Sequence, residues 1–500
     1  MAVTETIARS GPVRDGLIEE SILPTQLNQR PISMLGYAWM FVGIAVIIAG
    51  YSLGAAGVGG GVPLGTVMLT IFAANLLIGA IMVLSADIGT EHGLSFAVYL
   101  RAPFGLHGTH LPAMTRGIVA AAWFGVQTYL GALALNGIGQ YFLGFDNWAV
   151  WYVAFALLQV INTATGIKSV ERLAALAAPA IIAISIWMYF KLEGIAQTEG
   201  INIWNFDATG EMTLVVLFIA NLGFWSTLAI DIPNLTRFVR TEPGARSFFR
   251  RNRGIMLGQL VALPVTQALI AGLGAVSFIA TGNWNPVEVI QGEGQGLSLI
   301  VLLVLVVLAQ WSTNNSANLI PSALTFVNLA PRVINYKMAV ALAGIAGTLC
   351  FPWALLDNLF VFLSYCGAFL SGIGGIMIAD YYVLRRRRLN VPDLYRADGQ
   401  FRYVAGFNPA GLIAWIVAGT IAALVSDYSF VIGFPMGFAL YLVLMRGWVM
   451  ARFVQAECAA GAGDEFLATT AGRSWVHLGQ GRFDRLTPAE TAGRKGREDL

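Results

Sequence analysis

Trp123 and Gln127 stand four residues apart in an otherwise apolar stretch. On a helix they share one face a turn apart, which puts an aromatic plane beside a carboxamide edge. A second apolar stretch carries Ser312, Thr313, Asn314, Asn315, Ser316 and Asn318, six neutral polar side chains among seven positions. No packing requirement visible in the sequence explains so dense a run. Hydroxyl and carbonyl oxygens suit a small hard cation, while each amide offers a donor and an acceptor edge to a ligand. A third stretch adds Phe224 and Trp225 directly after Gly223. Gln127 either bonds a neighbouring helix or faces a ligand, because an amide in an apolar medium costs several kcal/mol if unpaired, roughly 2–7 by transfer data. Taken together, these residues describe a slot in which flat rings stack on Trp123 and Trp225 while Gln127 and Asn318 read the ring edges. The first, third and eighth apolar stretches lack ionisable groups near these positions, which favours a neutral ligand over an amino acid, sugar phosphate or organic acid.

The elements that must hold these residues are membrane helices. The chain is 57% hydrophobic and 12% charged, with a mean hydropathy of +0.68, far from the roughly 25% charged of a soluble domain. Windows of about 20 apolar residues fall near 34–55, 64–86, 112–142, 147–166, 172–190, 211–236, 254–281, 296–330, 337–352, 356–383, 405–425 and 429–450. An even count puts both termini on one side. Arg237, Arg240, Arg246, Arg250, Arg251 and Arg253 follow the sixth span, and Arg385 to Arg388 follow the tenth. Lys and Arg near helix ends stay in the cytoplasm, so both termini are expected there, in the plasma (inner) membrane. Of the 30 Lys and Arg only Lys191 then falls outside, and the outer loops carry Glu193, Glu199, Asp207, Glu288, Glu293 and Asp357.

The expected organisation is an N-terminal tail over 1–33, a transporter domain over 34–450 and a C-terminal tail over 451–500, the last rich in Gly, Ala and charge and expected to be poorly ordered. Spans 1–5 (about 34–190) and 6–10 (about 211–383) show a weak symmetry: Trp123 with Gln127 in span 3 answers Trp311 with Asn318 in span 8. Glycines interrupt spans 1 (Gly36, Gly43, Gly50) and 6 (Gly223), which points to broken helices around a midplane site. Five spans invert each repeat relative to the other, and the helices within 405–450 are additional.

Three motifs carry a family resemblance: Trp-Phe-Gly-Val-Gln-Thr-Tyr-Leu-Gly-Ala-Leu-Ala-Leu (123–135), Trp-Ser-Thr-Asn-Asn-Ser-Ala-Asn-Leu (311–319) and Ile-Met-Ile-Ala-Asp-Tyr-Tyr-Val-Leu-Arg-Arg-Arg-Arg (376–388). Arg-Ala-Pro-Phe-Gly (101–105) and Asp-Leu-Tyr-Arg (393–396) fit the same pattern. Over about residues 30–450 the chain resembles the nucleobase:cation symporter-1 family. The resemblance implies an all-α polytopic fold of twelve transmembrane helices, a LeuT-like five-plus-five inverted repeat with two more helices. It implies symport of a neutral planar ring, of uracil, cytosine, purine, allantoin or hydantoin type, with sodium by alternating access. Proton coupling, or a ring-containing vitamin such as thiamine, is the alternative. Carried over from the family's hydantoin carriers, Trp123 and Trp225 would sandwich the ring, Gln127 and Asn318 would hydrogen-bond it, and Leu363 would be a thin gate. The sodium ligands would be the carbonyls of Phe41, Ile44 and Ala309 with the hydroxyls of Ser312 and Thr313. Ala45 stands where those carriers have glutamine, so one polar contact to hydantoin is missing.

Other features have blander readings. A net charge of +2, with its cations in loops and tails, implies no nucleic-acid partner. Cys350, Cys366 and Cys458 have no paired spacing, and His92, His107 and His110 are too irregular for a metal site. Asp231 is read as a partner for Arg237 or Arg240, with a proton-coupling role as the alternative. Asp87 and Asp380 are taken as plain helix-end residues, and the run 385–388 as a topology anchor on anionic headgroups. No nucleophile, metal ligands or paired carboxylates lie at depth, which argues against an enzyme.

Overall fold

Helix 1 meets three consecutive β-branched residues, Val46, Ile47 and Ile48, and these are weak helix formers. In the computed structural model, which describes residues 16–165, 167–207, 210–285, 288–289 and 296–498, the helix breaks there. Met34–Ala45 and Ile48–Gly59 are bent by 57°, and together they form α1. Short bonds from Val46 N–H to the Gly43 carbonyl (3.2 Å) and from Ile47 N–H to the Ala45 carbonyl (3.0 Å) replace the regular ladder. Of the last turn before the break, the Gly43 and Ala45 carbonyls take these bonds, while those of Val42 and Ile44 lose their regular donors.

The chain continues through α2 (Leu64–His92), α3 (His110–Leu143), α4 (Trp148–Ala164), α5 (Ile167–Thr198), α6 (Leu214–Asp231), α7 (Arg253–Thr281), α8 (Leu299–Leu329), α9 (Tyr336–Thr348), α10 (Leu359–Leu384), α11 (Pro409–Leu424) and α12 (Ser426–Val449). Each expected apolar window falls on one of these helices. Among the described residues seven are long and apolar enough to cross a membrane, and eight if the bent pair counts as one span. Glu293 lies outside the described residues, as do residues 1–15 of the N-terminal tail.

The expected break of α6 at Gly223 does not occur, because that helix runs unbroken from Leu214 to Asp231. It is interrupted instead at Ile232, ahead of Pro233, where proline removes a backbone donor. Gly223 has a different task. A Cβ there would stand 2.8 Å from the Leu363 carbonyl, so the missing side chain lets α10 lie directly on α6. Helix α3 is set against α9 in the same way, since a Cβ on Gly125 would come within 2.2 Å of the Gly347 carbonyl.

The C-terminal tail is folded, contrary to the sequence expectation. Strands β1 (Ser474–His477) and β2 (Phe483–Leu486) form an antiparallel hairpin with Ser474 opposite Leu486, and a helix follows over Pro488–Glu498. A few apolar contacts suffice to order it. The Phe483 ring stacks on Tyr395 at 4.8 Å, and Trp475 and Ala468 are buried. Both tails lie on one face of the helix bundle, joined by a 2.9 Å bond from the Leu27 amide to the Ser474 hydroxyl.

That face is held by buried charges. Asp87 accepts from Arg251 (2.5 Å) and Asn252 (2.6 Å), and Arg387 approaches it at 3.1 Å. Glu91 pairs with Arg251 at 3.1 Å and accepts from the Ala468 and Thr470 amides of the tail. Asp380 binds Arg385 (2.7 Å), Tyr99 (2.9 Å) and Tyr441 (2.6 Å), and Arg385 also pairs with Glu457. These contacts correct two sequence readings. Asp87 and Asp380 are organising centres, and Arg385 and Arg387 take protein carboxylates as partners in place of lipid headgroups, because a buried charge needs a fixed counter-charge. Arg237 gives its guanidinium to the Ser21 carbonyl at 2.7 Å. Burial lowers its pKa to about 10, so it stays charged at neutral pH.

Candidate functional site

Four aromatic rings from three helices meet in a continuous series. Trp123 of α3 contacts Phe224 of α6 at 5.2 Å and Phe362 of α10 at 5.6 Å, and Phe224 contacts Trp225 at 5.3 Å. All these contacts are edge-on, the arrangement favoured by the ring quadrupole. Trp123, Phe224 and Trp225 are 4%, 4% and 2% exposed, so the rings are shielded from bulk solvent. Beside them lie two polar atoms with no protein partner, Gln127 Oε1 on α3 and Trp225 Nε1 on α6. Other buried polar atoms are unpartnered too, among them both amide atoms of Gln310 and Trp311 Nε1 on α8, but an acceptor one turn from Trp123 and a donor on Trp225 are of the kinds that the edge of a cyclic amide or imide needs.

Asn318 is tied into a network that sequence reasoning missed. Its Nδ2 donates to Asn314 Oδ1 at 2.8 Å. Asn314 Nδ2 in turn donates to Gln159 Oε1 of α4 (2.8 Å), to Thr128 Oγ1 (3.1 Å) and to the Phe124 carbonyl (3.0 Å) of α3. Asn315 donates to Asn162 at 2.7 Å, and the Ser316 hydroxyl bonds back to the Ser312 carbonyl at 2.9 Å. Packing therefore does account for Asn314, Asn315 and Ser316, which corrects the reading that none could. The network fixes the Asn318 side chain through α3 and α4. A π-helical turn over Asn315–Leu319 accompanies it, the widened geometry often found where helices carry functional groups.

The oxygens proposed for a cation lie where α1 meets α8. Thr313 Oγ1 donates to the Gly43 carbonyl at 2.8 Å, and a Cβ on Gly43 would stand 3.8 Å from Ser312 Oγ. Ser312 Oγ is buried and has no partner. Ile44 belongs to the last turn before the helix break, where its carbonyl loses its regular donor. Phe41 lies one residue before that turn, and Ala309 is buried on α8. Among the described residues no cluster of His, Cys, Asp or Glu could hold a metal, so a cation here would rest on neutral oxygens.

Leu363 is 1% exposed, and its backbone lies against Gly223; the neighbouring Phe362 is the α10 ring that touches Trp123. Ala45 is fully buried at the end of the first half of α1 and brings no polar group to the site. Asp231 meets neither Arg237 nor Arg240. Its partner is Arg116, whose Nη2 lies 2.9 Å from Oδ2. Arg116 is seven residues before Trp123 on α3, and its length lets it donate to the Thr227 carbonyl of α6 (2.8 Å) and the Ala317 carbonyl of α8 (3.0 Å) as well. The helices bearing Trp225 and Asn318 are thus joined beneath the rings.

A family model described as permease for cytosine/purines, uracil, thiamine and allantoin matches residues 24–449. The chain belongs to this family, the nucleobase:cation symporter-1 permeases. Its relatives include a hydantoin permease of Microbacterium maritypicum, 29% identical with 89% of this chain and 92% of the relative covered. An allantoin permease of Bacillus subtilis (strain 168) is 26% identical, with 86% of this chain and 93% of the relative covered. The solved structure of Mhp1, a nucleobase-cation-symport-1 family transporter in a closed conformation with bromovinylhydantoin bound, superposes with a TM-score of 0.81 at 27% identity. That match covers 89% of this chain and 98% of Mhp1. The inward-facing conformation of Mhp1 gives 0.77. The permease therefore has the fold of Mhp1, and it is a transporter, not an enzyme.

Proposed function

We propose that this permease imports a small neutral planar ring, of uracil, cytosine, purine, allantoin or hydantoin type, together with sodium, across the plasma (inner) membrane. The observation that carries the reading is the pair of unpartnered buried polar atoms, Gln127 Oε1 and Trp225 Nε1, beside the Trp123 and Trp225 rings. The ring stacks on the tryptophans, Gln127 and Asn318 bond its edges, and Leu363 with Phe362 closes over it from α10. Sodium takes Ser312 and Thr313 with carbonyls of Phe41, Ile44 and Ala309 at the break of α1. The bound cation braces α1 against α8 and so raises affinity for the ring, and by linkage the ring raises affinity for sodium. A full charge moving inward releases up to ~2.3 kcal/mol per 100 mV. Both termini are cytoplasmic in this reading, which the arginines after α6 and α10 support.

A binding panel on the purified permease tests this. Hydantoin, allantoin, uracil, cytosine, a purine and thiamine are titrated by tryptophan fluorescence with and without sodium, in wild type, Trp123→Ala and Gln127→Ala. Sodium-enhanced affinity for at least one neutral ring, lost in both variants, is expected. Affinity that follows pH and ignores sodium would replace the cation by a proton, and unchanged affinity in both variants would remove the site from α3.

A further inference from the structure

Phe224 stands against both of the tryptophans that would enclose a ligand. Its ring lies 5.2 Å from Trp123 at 66° and 5.3 Å from Trp225 at 70°. Phe362 bounds Trp123 from a second helix at 5.6 Å. Any ring that stacks on Trp123 therefore has part of its margin set by the Phe224 benzyl group. That group has little room to withdraw. It is 4% exposed, on an unbroken stretch of α6 whose Gly223 backbone is pressed against the Leu363 carbonyl. Close-packed aromatic surroundings do not deform at small cost, since overpacking by even a methylene is felt.

We propose that Phe224 is a size filter that excludes from the permease rings bearing a benzyl-sized group. This rests on the ring site proposed above and narrows its substrate class. The filter works by exclusion: a substituent that reaches past the stacked ring meets the Phe224 edge, and the ring cannot then seat on Trp123 and Gln127 together. Specificity of this kind comes from a built-in clash more than from added attraction.

The test is equilibrium binding to the full-length purified permease, with sodium present, of four probes: hydantoin, 5-benzylhydantoin, uracil and 5-benzyluracil. In wild type the unsubstituted member of at least one pair binds at least tenfold more tightly, the lower end of what about one misfitting methylene produces. In Phe224→Ala that ratio falls to about threefold or less by gain of the benzyl compound, as removal of a buried ring leaves a cavity. Phe224→Leu keeps more of the packing and gives an intermediate ratio, so the result does not depend on the alanine variant folding. A wild-type ratio near one, a ratio unmoved in both Phe224 variants, or binding of none of the four probes overturns the filter. Trp123→Ala and Gln127→Ala separate the two ideas. If they bind as wild type does, the ring site itself is wrong; if they lose binding while the ratio ignores Phe224, only the filter fails.

Discussion

Replacing Arg116 by methionine should cost the permease much of its stability. The side-chain exposures of Arg116 and Asp231 are 1% and 0%, and their charges lie 2.9 Å apart. Removing the arginine leaves a carboxylate in an interior that cannot solvate it, and the Thr227 and Ala317 carbonyls lose their donor at the same time. Breaking a buried pair from one side costs about 3–5 kcal/mol, most of it the uncompensated charge. The companion variant Asp231→Leu strands the guanidinium but leaves its two carbonyl bonds, so its loss should be the smaller. In Arg116→Met/Asp231→Leu both charges are gone, and the double variant should recover roughly 2–3 kcal/mol relative to the sum of the singles. The assay is unfolding of the full chain in detergent by heat or denaturant, run as a double-mutant cycle. Arg116→Met within about 1 kcal/mol of wild type, or strictly additive singles, would refute the reasoning, because a loss that small is that of a surface pair.

Three further outcomes follow from the same structure. Ser312→Ala removes an unpartnered hydroxyl facing Gly43 and should weaken the sodium dependence of ring binding at least tenfold while leaving the order of preferred rings unchanged, read from sodium titrations. Gln159→Leu cuts the Asn314 amide from α4 but leaves its bonds to Thr128 and the Phe124 carbonyl, so Asn318 is held less firmly; ring affinity should fall by about 0.5–1.5 kcal/mol, the net worth of one hydrogen bond, without direct ligand contact, and calorimetry reads this. Glu91→Ala releases Arg251, Arg387 and the tail amides of Ala468 and Thr470, and limited proteolysis should then cleave within 451–500 faster than in wild type.

The helices were legible because twenty-residue apolar windows leave little choice in a bilayer, and the Trp123–Gln127 pair was legible because helical spacing alone puts two residues on one face. What sequence could not supply was pairing across distance. Asn314 reads like Asn318 in the chain, yet one is spent on Gln159 and Thr128, 155 and 186 residues away, while the amide of the other goes only to Asn314, one turn back on its own helix. Asp231 sits near Arg237 in sequence, but the guanidinium that reaches it comes from residue 116. Gly223 looked like a helix breaker and is a seat for α10, a role that only the position of the Leu363 carbonyl reveals. The missing fact in each case was which helix lies next to which. Phe224 had a local signal, an aromatic directly beside Trp225, but its contact with Trp123 needed the fold.

Glu91 has a bearing on how the chain matures. Its carboxylate closes on the backbone of Ala468 and the amide and hydroxyl of Thr470, which leave the ribosome some 380 residues later. Through most of synthesis the second helix therefore carries an acidic group whose final partners do not yet exist, and α7's approach with Arg251 compensates only part of it. Closure of this face is a late event, since it waits on residues translated long after the second helix.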